Sequence, residues 1–213
     1  MSREDFSITV NGDCLEYIDD IHTYLVNGQI VPSITQIMKV RFADKYTGIA
    51  RETLEKAADY GTGVHRAIEM YVREGWTACE TMGFVNEVRN FEWLKKTFQF
   101  ETVDTEVPVI LYDYGTPIAA GRLDLVLKTQ GVKSIADIKT TATLDKEYLA
   151  IQLNLYRRAY QQSYGETIGA LDAIHLRRKE VRKFVPIPIN EEITDEVINE
   201  FLTLKEKGET NNE

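Results

Sequence analysis

The chain has 213 residues, 43% of them hydrophobic and 28% charged, which suits one folded domain with a true core and excludes a disordered segment. A formal net charge of −9 excludes a nucleic-acid coat that binds by bulk positive charge, though it leaves room for a local basic patch. Two cysteines, Cys14 and Cys79, are too few for a disulfide framework or a four-thiolate metal site. No apolar run approaches the ~20 residues of a membrane span, and "MSREDFSITV" lacks a signal peptide's apolar core. The expectation is a cytoplasmic domain over residues 1–207 with a flexible tail at 208–213.

Along the chain, Asn27-Gly28 between "HTYLV" and "QIVPS" signals a hairpin. Ser33 stands as N-cap to a helix over "ITQIMKV". "KYTGIARETLEKAADYG" reads as a second helix ending near Gly61 and "VHRAIEMYVREG" as a third, with Val64, Ile68 and Tyr71 at helical spacing. "FVNEVRNFEWLKKTFQF" reads as a fourth. The period then changes to two: "TVDTEVPVILY", "PIAAGRLDLVLK" and "VKSIADIKTT" predict three strands. "KEYLAIQLNLYRRAYQQSYG" predicts a helix stopping at Gly165, "ALDAIHL" and "KFVPIPI" a pair of strands around "RRKEVR", and "EEITDEVINEFLTLKEKG" a closing helix. The sum is α+β: a mixed, mostly antiparallel central sheet flanked by helices.

Two of these strands carry chemistry. Gln130-Gly131 fits a two-residue turn, so Thr129 faces Val132, and counting back sets Asp124 opposite Asp137 on one face. In the same register Arg122 and Lys139 form the next pair on that face. Two opposed carboxylates repel unless a cation sits between them or one takes a proton, and Mg²⁺ or Mn²⁺ suits such oxygen ligands. Lys139 adds a positive charge, useful beside a phosphate that gains negative charge in its transition state. The same spacing also fits a solvent-exposed face on which Asp137 and Lys139 simply pair.

Other spacings are suggestive. His65 and Glu69 lie four apart on one helix, either as a metal-ligand pair or as a surface contact. Gln152 and Tyr156 share a helix face, with Leu149, Leu153 and Tyr160 beside them as core. "RRKEVRK" holds Arg177, Arg178 and Arg182 in the one dense basic cluster, a phosphate contact or a solvated turn. Glu106 lies on the strand before that of Asp124, either reaching the same site or exposed at an edge. Ser33 and Thr35, with the amides of their helix start, could hold a terminal phosphate.

His65, "GRLD" ending in Asp124, "DIK" holding Asp137 and Lys139, then Gln152 and Tyr156, follow one another in an order that resembles the PD-(D/E)xK nuclease superfamily. Within it, the order is most similar to the RecB-like and phage lambda-type exonuclease branch, and "VPSITQI" is similar to the start of phage and organellar members. The resemblance implies a restriction-endonuclease-like core. It also implies an exonuclease dependent on Mg²⁺ or Mn²⁺ that leaves 5′-phosphates in phage or bacterial recombination or repair. Asp124, Asp137, His65 and the Ile138 carbonyl would hold the metal. Lys139 would position water or stabilise charge, and Gln152 and Tyr156 would orient DNA or the lysine. RecB-like CRISPR adaptation nucleases bind an iron–sulfur cluster through four cysteines; with two, this chain is expected to carry none. The expected partners are DNA, a phage single-strand annealing protein and further copies of the chain, with no membrane. The alternatives are a structure-dependent or single-strand endonuclease of the same fold, or a catalytically silent DNA-binding module.

Overall fold

The computed structural model describes residues 5–45, 47–177 and 181–208. Within them the chain builds two sheets. The first is a four-stranded antiparallel meander of β1 (Phe6–Val10), β2 (Asp13–Ile18), β3 (Thr23–Val26) and β4 (Gln29–Val31). The Asn27-Gly28 hairpin is present, with Val26 paired to Gln29. The sequence reading has no counterpart for β1 and β2, although Asn11-Gly12 between them carries the same turn signal.

The second sheet runs in the order β5 (Glu101–Asp113), β6 (Thr116–Thr129), β7 (Val132–Lys139), β8 (Ala170–Arg177) and β9 (Val181–Ile187). Neighbours are antiparallel except β7 and β8, which are parallel. Parallel strands need a crossover, and α6 (Lys146–Tyr164) supplies it, starting at the Asp145 cap and stopping at Gly165. The expected mixed, mostly antiparallel sheet with flanking helices is therefore the observed architecture.

The remaining helices are α1 (Ile34–Ile37), α2 (Lys39–Phe42), α3 (Arg51–Glu74), α4 (Trp76–Cys79), α5 (Val85–Phe98) and α7 (Glu191–Glu206). Two expectations change. The helix expected over "ITQIMKV" is two single turns, which lets Ile34, Ile37 and Met38 all bury and brings Arg41 onto Glu196 and Glu200 of α7. The two helices expected on either side of Gly61 are one, α3, 24 residues long. An interior glycine costs a helix about 1 kcal/mol. At Gly63 that cost has a steric reason: a Cβ there would stand 2.2 Å from the Phe84 ring, so only glycine lets α3 approach the start of α5 so closely.

Three apolar clusters fix the layers. Ile34, Ile37, Leu149, Leu153, Tyr160 and Phe201 bring α1, α6 and α7 onto one face of the five-stranded sheet. Val64, Ile68, Val88 and Phe91 pack α3 and α5 against Leu125, Leu127, Ile138 and Ile174 on the other. Beyond α3, Leu15, Tyr17 and Tyr24 of the meander cover Ile110, Tyr112 and Ala120 at the far ends of β5 and β6. Among the described residues, no helix is long and apolar enough to cross a membrane. Residues 209–213, most of the expected tail, lie outside the described residues.

Candidate functional site

The site forms where the five-stranded sheet opens. β5 pairs with β6 at Thr105–Leu125 and again at Val107–Leu123, but Glu106 and Asp124 between them are not paired. On the other side of β6, pairing with β7 runs from Thr129–Val132 to Leu125–Ala136 and stops there. The register is the one the turn predicts, and it brings Asp124 to the level of Asp137 just where the ladder ends. Asp124 is thus released on both sides. Glu106 has φ of +51°, a left-handed conformation that a side chain rarely adopts and that costs roughly 1–3 kcal/mol. The side-chain alternation of β6 also changes phase across this point: Leu123 and Val126 face α6, whereas Leu125 and Leu127 face α3 and α5.

Side chains from both faces fill the opening. Asp124 Oδ2 accepts the Ile138 amide at 2.7 Å, taking the place of a strand partner. From α3, His65 sets Nδ1 3.4 Å from Asp124 Oδ1 and Nε2 2.9 Å from the Ile138 carbonyl. His65, Glu106 and Asp124 each offer a ligand atom, all within 4.8 Å of one another. On the α6 side, Lys139 Nζ donates to Asp137 Oδ1 at 2.9 Å and to Gln152 Oε1 at 3.1 Å. Asp137 Oδ2 lies 2.7 Å from the same ammonium but outside hydrogen-bonding geometry. Asp137 is only 6% exposed, which removes the reading of Asp137 and Lys139 as a solvated surface pair. Tyr156 stands against Gly121: a Cβ on that glycine would lie 3.0 Å from Tyr156 Cε1 and 3.2 Å from Ile34 Cδ1. The glycine of "GRLD" therefore makes room for the tyrosine of α6.

The electrostatics follow from packing like charges in a buried place. Burial alone raises the Asp124 pKa, but His65, Lys139 and the Ile138 amide outweigh it and hold this carboxyl down at about 2. Asp137 moves the other way: burial and the Asp124 charge raise it against the pull of Lys139. Burial would lower His65, yet Asp124, with Asp137 and Glu106 beyond, leaves it raised. Lys139 is likewise raised, because Asp137 and Asp124 outweigh its desolvation, so it stays charged at neutral pH. A carboxylate strongly favoured as an anion beside one that resists ionising is the division expected of two carboxylates that share a site.

Two sequence-based pairings resolve differently. Glu69 pairs with Arg73 at 2.9 Å, not with His65, because the imidazole turns inward to the sheet. Arg122 does not pair with Lys139; it reaches Glu106 at 2.7 Å, its guanidinium 5.8 Å from the Phe6 ring and 5.7 Å from that of Tyr17. Ser33 caps α1, accepting the Gln36 amide at 3.1 Å while its own amide donates to Gln36 Oε1 at 2.6 Å, and its hydroxyl lies 3.0 Å from that of Thr35. Those amides already have partners inside a one-turn helix. Arg177 ends β8 and is exposed, Arg182 is exposed on β9, and Arg178 lies outside the described residues.

Glu106 is one of the residues that the sequence left undecided. It lines, with His65, Arg66, Arg122 and Phe6, a cleft of ≈ 610 Å³ between α3 and the N-terminal meander. The donor set of His65, Glu106 and Asp124, one imidazole and two carboxylates, fits Mg²⁺ or Mn²⁺.

No protein-family model and no curated protein matches the sequence. A crystallised protein of Eubacterium rectale, provisionally designated an exonuclease, shares the fold: TM-score 0.50, 12% identity, covering 84% of this chain and 82% of that chain. The structure of SSO0001 superposes at a TM-score of 0.38 with 14% identity, over 80% of this chain and 84% of that one, too slight to argue from.

Proposed function

We propose that the protein is a divalent-metal-dependent nuclease that hydrolyses phosphodiester bonds of DNA. The observation that carries this reading is the meeting of His65, Glu106 and Asp124 with the buried Asp137–Lys139–Gln152 chain at one opening of the sheet. The division of labour follows from the contacts. His65, Asp124 and Glu106 are the side chains that would hold Mg²⁺ or Mn²⁺, with the Ile138 carbonyl 2.9 Å from the imidazole and Asp137 on the strand beside Asp124. A bound metal would supply a Lewis acid for the scissile phosphate and lower the pKa of a water.

Asp137 and Gln152 fix the Lys139 ammonium in place, so that its charge is preorganised toward a phosphate gaining negative charge rather than drawn there at the moment of reaction. Tyr156, seated on Gly121, and Gln152 shape the α6 side of the opening.

The finer reading is an exonuclease yielding 5′-phosphates in phage or bacterial recombination or repair, in the host cytoplasm beside a single-strand annealing protein. The order of the motifs supports it. End-labelled linear DNA incubated with Mg²⁺, with Mn²⁺ and with chelator tests the reaction. Labelled ends released from linear but not circular DNA identify an exonuclease, and nicked circles an endonuclease. DNA left intact with both metals would refute the nuclease reading.

A further inference from the structure

The outer face of α5 carries Asn86, Arg89, Trp93 and Lys96, whose spacing places them in one stripe along the helix. Arg182 of β9 leans onto this stripe, its guanidinium carbon 3.9 Å from the centre of the Trp93 ring. Together these side chains line a hollow of ≈ 520 Å³. Trp93 is 43% exposed, unusual for the largest apolar side chain. Phe98, nearby on the same helix, is 42% exposed and stacks on Phe184 of β9 at 4.8 Å between ring centres. The one acid in the hollow, Glu92, is paired with Lys96 at 3.0 Å, so Arg89 and Arg182 set its charge.

The place of this hollow is as telling as its chemistry. Lys139 on β7 is level with His175 on β8, and His175 with Lys183 on β9. Arg182 is the neighbour of Lys183, so it stands about 10 Å, or two strand spacings, across the sheet from the backbone of Lys139, whose side chain faces α6 on the other side. α5 packs on the same face of the sheet as α3, which carries His65.

We propose that the hollow is a subsite for single-stranded nucleic acid, with Trp93 and the Arg182 guanidinium as a stacking platform for an unpaired base and Arg89 as a phosphate contact. The inference rests on the nuclease reading and adds to it where the strand runs outside the metal cleft. Exposed rings interleaved with cations suit a base stack and its backbone, whereas a duplex buries the base faces that Trp93 would contact. An acidic peptide would use the cations and leave the ring idle.

The test uses the full chain in chelator, so that no substrate is cut. Oligothymidylate should quench tryptophan fluorescence, and Trp93→Ala should weaken its binding by at least about fivefold while changing blunt-duplex binding by less than about twofold. Trp93→Phe, which keeps a ring, should recover most of that affinity, and Arg89→Gln should lower the salt slope by about one unit. If the wild type cuts DNA yet Trp93→Ala binds oligothymidylate as the wild type does, the subsite is wrong and the nuclease reading stands. If Trp93 governs oligothymidylate binding but no metal supports cleavage, the subsite stands and the nuclease reading falls. Displacement of oligothymidylate by polyglutamate at equal charge concentration would overturn the proposal in favour of an acidic protein partner.

Discussion

Divalent metal should stabilise the folded chain, and the size of the effect can be worked out. His65, Glu106 and Asp124 lie on α3, β5 and β6, so the ligand set exists only in the folded state. A cation at a hundred times its dissociation constant then stabilises the fold by about 2.7 kcal/mol. Over 213 residues, an unfolding entropy of about 2.1 cal/mol/K per residue makes each kcal/mol worth about 2 °C, so the melting midpoint should rise by about 6 °C. Asp124→Asn keeps an oxygen to accept the Ile138 amide and removes the anionic ligand, so the fold should survive while the metal-dependent rise falls below about 2 °C. Glu106→Gln should lose part of the rise, which separates a ligand from a mere partner of Arg122. The assay is a thermal melt by circular dichroism in chelator and across a Mn²⁺ and Mg²⁺ titration. No rise in the wild type, or an undiminished rise in Asp124→Asn, would refute the assignment of this cluster as a cation site.

Lys139→Ala should lower turnover about 10²-fold or more with DNA binding nearly intact, because the charge acts on the transition state; Lys139→Arg should rescue poorly, and an equal loss of binding would make the lysine a simple phosphate anchor. Gly121→Ala sets a methyl 3.0 Å from the Tyr156 ring and 3.1 Å from its hydroxyl. It should cost about 1–3 kcal/mol by chemical denaturation, with a smaller loss when combined with Tyr156→Phe, and an unchanged stability would contradict the close approach. Asp172, buried on β8 with a hydrogen bond to Ser134, has its pKa raised by burial to about 6 from 3.8. Between those values the folded state holds a proton that the unfolded state has lost, so stability falls as pH rises through this window and stays lower above it. Asp172→Asn, neutral throughout, should therefore be more stable than the wild type by about 2–3 kcal/mol near pH 8 and no more stable below about pH 4; equal urea midpoints at the higher pH would disprove this.

The parts of the site legible in the sequence were those fixed by short-range rules. A two-residue turn at Gln130-Gly131 sets the register of β6 against β7, so the level of Asp124 with Asp137 follows from counting. Gln152 and Tyr156 follow from helical period, and Asp137 and Lys139 from strand alternation. The rest depends on contacts that no local pattern encodes. His65 has Glu69 at helical spacing, yet it turns to a carbonyl 73 residues away. Glu106 enters the site through a backbone angle of +51° and an ion pair across the ladder. α3 runs on through Gly63 because its close approach to Phe84 outweighs the helix penalty of a glycine. The parallel pairing of β7 and β8 depends on α6 crossing the sheet, which alternation within either strand cannot reveal.

The release of Asp124 from both its neighbours has a consequence for how this chain can diverge. A site built on loops changes whenever a loop gains or loses a residue. This one is built on a register, and a register cannot drift by one residue without turning every side chain of the strand to the wrong face. The hairpin tip between β5 and β6, where Tyr114 is fully exposed, can therefore be lengthened, trimmed or grafted while the carboxylates keep their spacing. A chain built this way can change at its hairpin tips while the opening in the sheet stays where it is.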